Sequence, residues 1–206
     1  FLPIRWLTHQ NRDSYWQHGS ICENYNAITA AVLAVGGWGD AYKNAVPALV
    51  ENISSPVRGL TGPWVHKYPH FAVPEPRIGF LQEALRWWDQ WLKGIDRGVM
   101  DDPDYCAYLM DGVRPQTWYD TRPGRWIGMA GWPAGPHSAS WQLGGDRSLA
   151  PVTAAPTQSA MRVTVASPQD CGMDGGEYCA IWLGPEMPGD QRGDDARSAC
   201  FTSAPL

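Results

Sequence analysis

Residues 28–111 alternate between short apolar runs and amphipathic segments, and this alternation is the strongest constraint on the fold. The run ITAAVLAVGG at 28–37 is rich in β-branched residues and stops at two glycines, which favours a buried strand over the alternative of a buried helix. Further strands are predicted at 57–61 and 104–111. The resulting order of strand, helix, strand, helix, strand predicts an α/β fold with βαβ units in a parallel sheet.

Two amphipathic segments are predicted to form the helices of this alternation. The first follows Gly39, and Pro47 either kinks it or occupies the first position of a shorter helix. Its apolar residues fall on one face: Tyr42, Ala45, Val46, Leu49, Val50 and Ile53. The second, at 77–93, has the clearest helical pattern in the chain and ends before Gly94. Its shared face contains Leu81, Ala84, Leu85, Trp88, Trp91 and Leu92.

The two ends of the chain differ from this central part. Residues 1–27 are polar and aromatic, and they predict one or two short helical turns packed on something larger. Residues 112–136 are rich in Gly, Pro and Trp and have no helical period. Three further strands are predicted, at 138–143, 160–166 and 178–183. They predict the start of a β-sandwich with too few strands to complete it.

Charge and composition exclude several classes of function. The net charge is −5 and the 16 lysines and arginines are scattered, so the chain lacks a basic footprint for nucleic acid or for an anionic membrane. No apolar run approaches the roughly 20 residues of a membrane span. Twelve tryptophans and 18 prolines indicate a loop-rich enzyme or a carbohydrate-facing scaffold rather than a helical bundle.

The cysteines bear on cofactors and on the cellular compartment. The five cysteines form no CxxC pair, which argues against a zinc site, and neither a Rossmann fingerprint nor a P-loop is present. We therefore predict no metal and no other cofactor. Cys171 and Cys179 would bridge a loop in an oxidising compartment, whereas reduced thiols would indicate a cytosolic protein. The compartment stays open, with the cytoplasm favoured over secretion.

Two residues suited to catalysis follow the first two predicted strands. Asp40 comes after a Gly-Gly-Trp-Gly turn, and His66 comes after Gly-Pro-Trp-Val. Because reactive groups collect at the carboxyl edge of a parallel sheet, we expect the two side chains to hydrogen-bond there. The carboxylate would then hold the imidazole as a general base for a hydroxyl nucleophile.

Each residue of this pair also has a structural alternative. An Asp after glycines is most often a turn or N-cap residue, and a His between Trp and Tyr is most often a loop residue. His70 competes with His66, although Pro69 between them rules out a helical metal pair. The nucleophile is missing, since no serine and none of the five cysteines lies in a G-x-S-x-G turn.

Motifs along most of the chain, from about Leu7 onward, resemble one family. VGGWGDAY at 35–42, TGPWVH at 61–66 and the Trp-rich helix ending in WDQWLKG resemble the cocaine-esterase and X-Pro dipeptidyl-peptidase family of α/β-hydrolases. MDGVRPQTWYD at 110–120, together with Trp132-Pro133, resembles the join between its catalytic and jelly-roll domains. The last residues, PGDQRGDDARSACFTSAPL, resemble a segment of that jelly roll.

The resemblance implies a serine-type hydrolase of acyl esters or amides with a Ser-Asp-His triad. This chain would supply only the acid, Asp40, and the base, His66. Three domains are implied: 1–27 as the end of a helical cap, 28–136 as the C-terminal half of the α/β-hydrolase domain, and 137–206 as the first part of a β jelly roll. Three aromatic residues that flank the pair are candidates for the acyl pocket, with core packing as the alternative: Trp38, Tyr42 and Trp64.

The implied partner is a small acyl ester, an amide or a short peptide, and a homo-oligomer is left open. The remainder of the same polypeptide would be needed to complete the sheet. Since a cut sheet exposes backbone and apolar surface, we expect this piece alone to be inactive and poorly soluble. The alternative function is a non-catalytic Trp-rich module that binds peptide or carbohydrate. That alternative predicts Asp40 and His66 far apart, with tryptophans exposed in a row.

Overall fold

The computed structural model describes residues 2–132, 139–152, 162–181 and 184–205. The α-helices are α1 Leu2–Thr8, α2 Ser14–His18, α3 Ala45–Asn52, α4 Phe80–Lys93 and α5 Arg192–Asp195. The strands are β1 Val32–Gly39, β2 Val57–Val65, β3 Tyr105–Met110, β4 Gly124–Met129, β5 Trp141–Leu143, β6 Ser148–Pro151 and β7 Thr202–Ser203. Short 3-10 helices lie at Ile21–Glu23, Tyr25–Ala27 and Met173–Gly175.

The central sheet has the strand order β1-β2-β3-β4. β1, β2 and β3 pair in parallel, and β4 pairs antiparallel with β3. The predicted alternation of strands and helices is therefore confirmed, and the mixed α/β architecture is compatible with an α/β-hydrolase-like fold. β4 was not predicted, because its residues are largely exposed and show no apolar alternation.

The bounds of the first two strands differ from their predicted bounds. β1 begins at Val32 rather than at residue 28 and continues through the two glycines to Gly39. β2 continues past Thr61 to Val65, although Pro63 cannot donate to a sheet. Both strands therefore extend further at their carboxyl ends than the apolar runs indicate, so that β1 ends directly before Asp40 and β2 directly before His66.

Helix α3 is shorter than its apolar pattern. Pro47 is the third residue of the helix, where its missing N–H would have no partner inside the helix, so it neither bends the helix nor starts it. Val46 and Val50 are buried against the sheet, while Tyr42 lies before the helix and is 64% exposed.

Helix α4 ends where the sequence predicts, but it buries a different face. Gly94 adopts the left-handed conformation at φ 68°, which closes the helix. The buried residues of α4 are Ala84, Trp87 and Asp89. Asp89 is buried because it is ion-paired with Lys93 and Arg97, whose hydrogen bonds lower the pKa of its carboxyl. The large apolar residues of the other face are exposed: Leu81, Leu85, Trp88, Trp91 and Leu92.

The exposed face of α4 predicts self-association, because contiguous apolar surface of this kind is a recognised aggregation liability. We expect Leu85→Lys to increase the monomer fraction of the chain, since residue 85 is 52% exposed and lysine is a good helix former. Size-exclusion chromatography with light scattering measures this. Gln82→Lys, on an already exposed polar position of α4, is the matched control for the added charge. An equal gain from both variants would assign the effect to charge.

The C-terminal part of the chain contains a three-stranded sheet in the order β5-β6-β7. The predicted strand at 138–143 is present over its second half as β5, while residues 139–140 are not in a strand and Ser138 lies outside the described residues. Two predicted strands, at 160–166 and 178–183, are wrong over their described residues, 162–166 and 178–181. The other residues of these two ranges lie outside the described part of the chain. The predicted domain boundary at 136/137 also lies outside it. The described residues of these two ranges lie in loops and turns, so their apolar side chains do not belong to paired strands.

Among the described residues, the core consists of three small clusters around the central sheet. The first lies between α3 and the sheet and contains Ala34, Val46, Val50, Tyr105 and Ala107. The second contains Leu60, Trp64 and Ala72, and the third contains Val65, Val73 and Ala180. Ala180 belongs to the C-terminal part, which therefore packs directly on the end of β2. None of the helices in the described ranges is long and apolar enough to cross a membrane.

Candidate active site

The strand register places Asp40 and His66 side by side. β1 and β2 are parallel, and Gly39 at the end of β1 pairs with Val65 at the end of β2. Between the pairs Gly37–Gly62 and Gly39–Val65, β2 contains one more residue than β1, which is a β-bulge. Without this extra residue, the residue after Gly39 would face Val65 instead of His66. The bulge therefore brings the carboxylate and the imidazole to the same level of the sheet edge.

Gly37 permits this bulge because it has no side chain. A Cβ on Gly37 would lie 2.1 Å from the backbone oxygen of Trp64 and 2.8 Å from its carbonyl carbon. Backbone atoms in a buried strand cannot move aside, so only glycine fits at position 37. The Gly-Gly motif thus allows β2 to approach β1 closely just before His66.

Asp40 uses its two carboxylate oxygens for different partners. Oδ1 accepts a hydrogen bond of 2.8 Å from the backbone N–H of Tyr42, and Oδ2 lies 2.8 Å from Nδ1 of His66. The turn alternative for Asp40 is thus also correct, although the N-cap of α3 is Asn44. One oxygen fixes the carboxylate in the turn, and the other is left to orient the imidazole.

His66 is anchored through its backbone and open at its ring. Its backbone N–H donates to the carbonyl of Ala180 at 2.8 Å, while its side chain is 49% exposed. The Asp40 side chain beside it is 12% exposed. When Nδ1–H donates to the carboxylate, Nε2 of the same ring carries the lone pair that can accept a proton. The pair can therefore take up a proton from a group that approaches from solvent.

A cleft of about 760 Å³ opens beside the pair. Asp40 and His66 lie in its wall, and its other walls are mostly apolar and include Trp64, Phe71, Phe80, Trp87 and Trp88. This volume lies within the range of small-molecule sites, about 300–1,000 Å³. The competing His70 lies among the rings of Tyr68, Phe71 and Phe80.

The three aromatic candidates for the acyl pocket occupy different places. Trp64 is buried and lines the cleft, where its Nε1–H donates to the carbonyl of Pro76. Trp38 packs on the first core cluster and donates to the carbonyl of Tyr108, which favours the packing alternative. Tyr42 is exposed, with its ring 5.9 Å from that of His66. Neither Trp38 nor Tyr42 is among the residues that line this cleft.

Cys179 is a site residue that the sequence analysis missed. Its sulfur, one carboxylate oxygen of Asp40 and one ring nitrogen of His66 all lie within 4.8 Å of one another. Its neighbour Ala180 is held by the His66 backbone, so the C-terminal part carries this thiol to the edge of the central sheet. No local motif signals this contact. All five cysteines are free, so the bridge considered between Cys171 and Cys179 is not formed.

A second Asp–His pair lies near the start of the chain. His9 Nδ1 is 2.6 Å from Asp13 Oδ2, and Asp13 also caps α2 by accepting from the N–H of Tyr15. The hydrogen bond from His9 is the main cause that lowers the pKa of the Asp13 carboxyl. The two residues lie in the short connection between α1 and α2, and Asp13 is the N-cap of α2, so this pair is a local helix-capping arrangement.

The chain is thus a mixed α/β protein. The carboxyl ends of its parallel strands hold a hydrogen-bonded carboxylate and imidazole, which together form a candidate proton-transfer site. Residues 1–68 match the model of the X-Pro dipeptidyl-peptidase (S15 family), and this match includes both Asp40 and His66. This match supports the family resemblance of the motifs that lie within residues 1–68. The matching model describes a peptidase family, and this supports a hydrolase or peptidase function at the family level. No curated protein and no solved structure matches the chain.

Proposed function

We propose that the protein is a serine-type hydrolase of acyl esters or amides, in which Asp40 is the acid of the triad and His66 is the base. The observation that carries this proposal is the 2.8 Å contact between Asp40 Oδ2 and His66 Nδ1 at the carboxyl edge of the sheet. The family match over the same residues supports it. A small acyl ester, an amide or an X-Pro peptide is the proposed substrate class.

The chemistry follows from the two ring nitrogens of His66. As a serine oxygen bonds to the acyl carbon, Nε2 takes the hydroxyl proton, and Asp40 stabilises the imidazolium through Nδ1–H. The imidazolium then donates that proton to the leaving alcohol or amine as the bond from that group to the acyl carbon breaks. Water repeats the sequence on the acyl-enzyme and regenerates the serine. The half-exposed ring of His66 gives both nucleophiles access.

The proposed nucleophile lies outside these residues, because no serine in the sequence has the G-x-S-x-G setting. In this proposal residues 1–27 form the end of the cap, residues 28–136 half of the catalytic domain, and residues 137–206 the start of a jelly roll. The absence of buried residues in α1 and α2 is consistent with a cap segment that packs on other parts of the protein.

The cleft supplies the proposed acyl pocket. Its tryptophans and phenylalanines offer apolar contact for an acyl group, while Asp40 and His66 are also among its lining residues. The rival interpretation as a binding module is disfavoured, because it requires Asp40 and His66 to lie far apart, whereas Asp40 Oδ2 is 2.8 Å from His66 Nδ1.

The intact protein that carries these residues tests the proposed class. We expect a fluorophosphonate probe to form one covalent adduct, on a serine outside residues 1–206, because the imidazole of His66 activates that hydroxyl. Peptide mapping by mass spectrometry locates the adduct. His66→Gln is expected to abolish it, whereas His70→Gln, a matched change in the neighbouring aromatic cluster, is expected to preserve it. Absence of any adduct on the wild-type protein would overturn the hydrolase proposal.

The isolated 206-residue chain tests where the nucleophile lies. We expect neither a burst of p-nitrophenol from a p-nitrophenyl ester nor a fluorophosphonate adduct, since an acid and a base alone form no acyl-enzyme. Stopped-flow absorbance on monodisperse chain measures the burst. A stoichiometric burst would show that a residue inside the chain is the nucleophile.

A further inference from the structure

We propose that Asp40, His66 and Cys179 form a binding site for a zinc ion. The three residues come from three places in the chain: the end of β1, the end of β2 and the C-terminal part. Their ligand atoms nevertheless lie within 4.8 Å of one another. One thiol, one imidazole and one carboxylate are the donor types that select zinc over calcium or magnesium.

The position of Cys179 is fixed by the packing and backbone hydrogen bond of its neighbour Ala180. The next residue, Ala180, is 2% exposed, packs with Val65 and Val73, and accepts the backbone hydrogen bond of His66 at 2.8 Å. The backbone beside the thiol is therefore tied to the backbone beside the imidazole. This anchoring keeps the donor atoms together and makes the cluster a built site rather than a chance approach of surface groups.

The arrangement of the three side chains suits a bound metal ion better than a catalytic triad in which the Cys179 thiol is the nucleophile. In a relay, the nucleophile faces Nε2 on the side of the ring away from the carboxylate. Here the sulfur is within 4.8 Å of both the Asp40 oxygen and the His66 nitrogen, so the three atoms form a triangle. Tetrahedral zinc, with bonds of about 2.0–2.3 Å, needs its ligand atoms to close to roughly 3.5 Å, which side-chain rotation can supply.

The site has room for the remaining ligand and a path for the ion. Three protein ligands leave the fourth zinc position for water, and the half-exposed His66 ring opens to solvent. Zinc would replace the hydrogen bond between Asp40 and His66. The bound zinc would thereby prevent the imidazole from acting as the proposed general base. This consequence for catalysis rests on the proposed function, whereas the zinc site itself does not.

Zinc binding to the reduced, metal-free chain tests the site without any catalytic assay. Isothermal titration calorimetry is expected to give one zinc per chain. Cys179→Ser is expected to weaken binding at least roughly tenfold, since even partners outside the first ligand shell contribute that much to metal affinity. Cys200→Ser changes an exposed thiol elsewhere and is the matched control. Cobalt should show a thiolate charge-transfer band with the wild type and with Cys200→Ser, and should lose it with Cys179→Ser.

A second readout locates the ion even where a variant folds poorly. Zinc is expected to protect Cys179 of the wild-type chain from alkylation, while the exposed Cys22 and Cys200 stay reactive, as mapped by mass spectrometry. Unchanged affinity in folded Cys179→Ser, a cobalt complex without the thiolate band, or no protection of Cys179 would each overturn the proposed site. None of these outcomes depends on a serine nucleophile, so the site and the hydrolase proposal can fail separately.

Discussion

Asp40→Asn is expected to lower the kcat of the proposed hydrolase about 10⁴-fold, the scale of this change at the acid of a Ser-His-Asp triad. The new amide oxygen can keep the hydrogen bond from the N–H of Tyr42, so the turn is retained. The amide nitrogen of the new Asn side chain then faces His66 Nδ1. Because this nitrogen can only donate a hydrogen bond, Nδ1 must be the acceptor. The proton of the imidazole must therefore move to Nε2, which can no longer accept the proton of the nucleophile.

Steady-state hydrolysis of a p-nitrophenyl ester at saturating substrate measures this loss. Asp96→Asn is the matched control, because Asp96 Oδ1 also accepts a backbone N–H two residues on, from Gly98, at an exposed turn. We expect that control to retain its kcat, and both variants to unfold near the wild-type temperature. A loss below tenfold in correctly folded Asp40→Asn would remove Asp40 from the relay.

The pairing of Asp40 and His66 was predictable because it depends on topology. Two strands with a helix between them pair in parallel, and the residues that follow them must then share one edge of the sheet. The strands run on through the glycines of both motifs, and Asp40 and His66 are the first residues after β1 and β2. The family motifs then favoured His66 over His70, and in the structure His66 contacts Asp40 while His70 lies among aromatic rings.

Other features were not predictable because they depend on long-range contacts. The bulge in β2 has no signal except glycine and proline in the motif, and these residues also suit an ordinary turn. The buried face of α4 depends on which surfaces are present to cover it, so its helical period alone could not identify Trp87 and Asp89. Cys179 reaches the site only because Ala180 packs on the end of β2.

Gly37→Ala is expected to have the largest effect on stability, lowering the free energy of unfolding by about 3 kcal/mol, the upper end for overpacking. The added methyl carbon would lie 2.1 Å from the backbone oxygen of Trp64, far inside van der Waals contact. Relief requires β1 and β2 to separate at the bulge. That movement would also pull Asp40 away from His66, so the same substitution is expected to weaken both the sheet and the site.

Urea unfolding of dilute chain, followed by tryptophan fluorescence, measures the change. Gly112→Ala is the matched control, because no heavy atom lies within 4 Å of a Cβ at that position, so its effect should stay within about 0.5 kcal/mol. If Gly37→Ala changed stability no more than Gly112→Ala does, the close approach of the two strands would not be required. The bulge could then adjust to a side chain at position 37, and something other than this glycine would have to place Asp40 beside His66. A large loss confined to Gly37→Ala would instead tie the Gly-Gly motif to the geometry of the pair, because a methyl group at position 37 meets the Trp64 backbone.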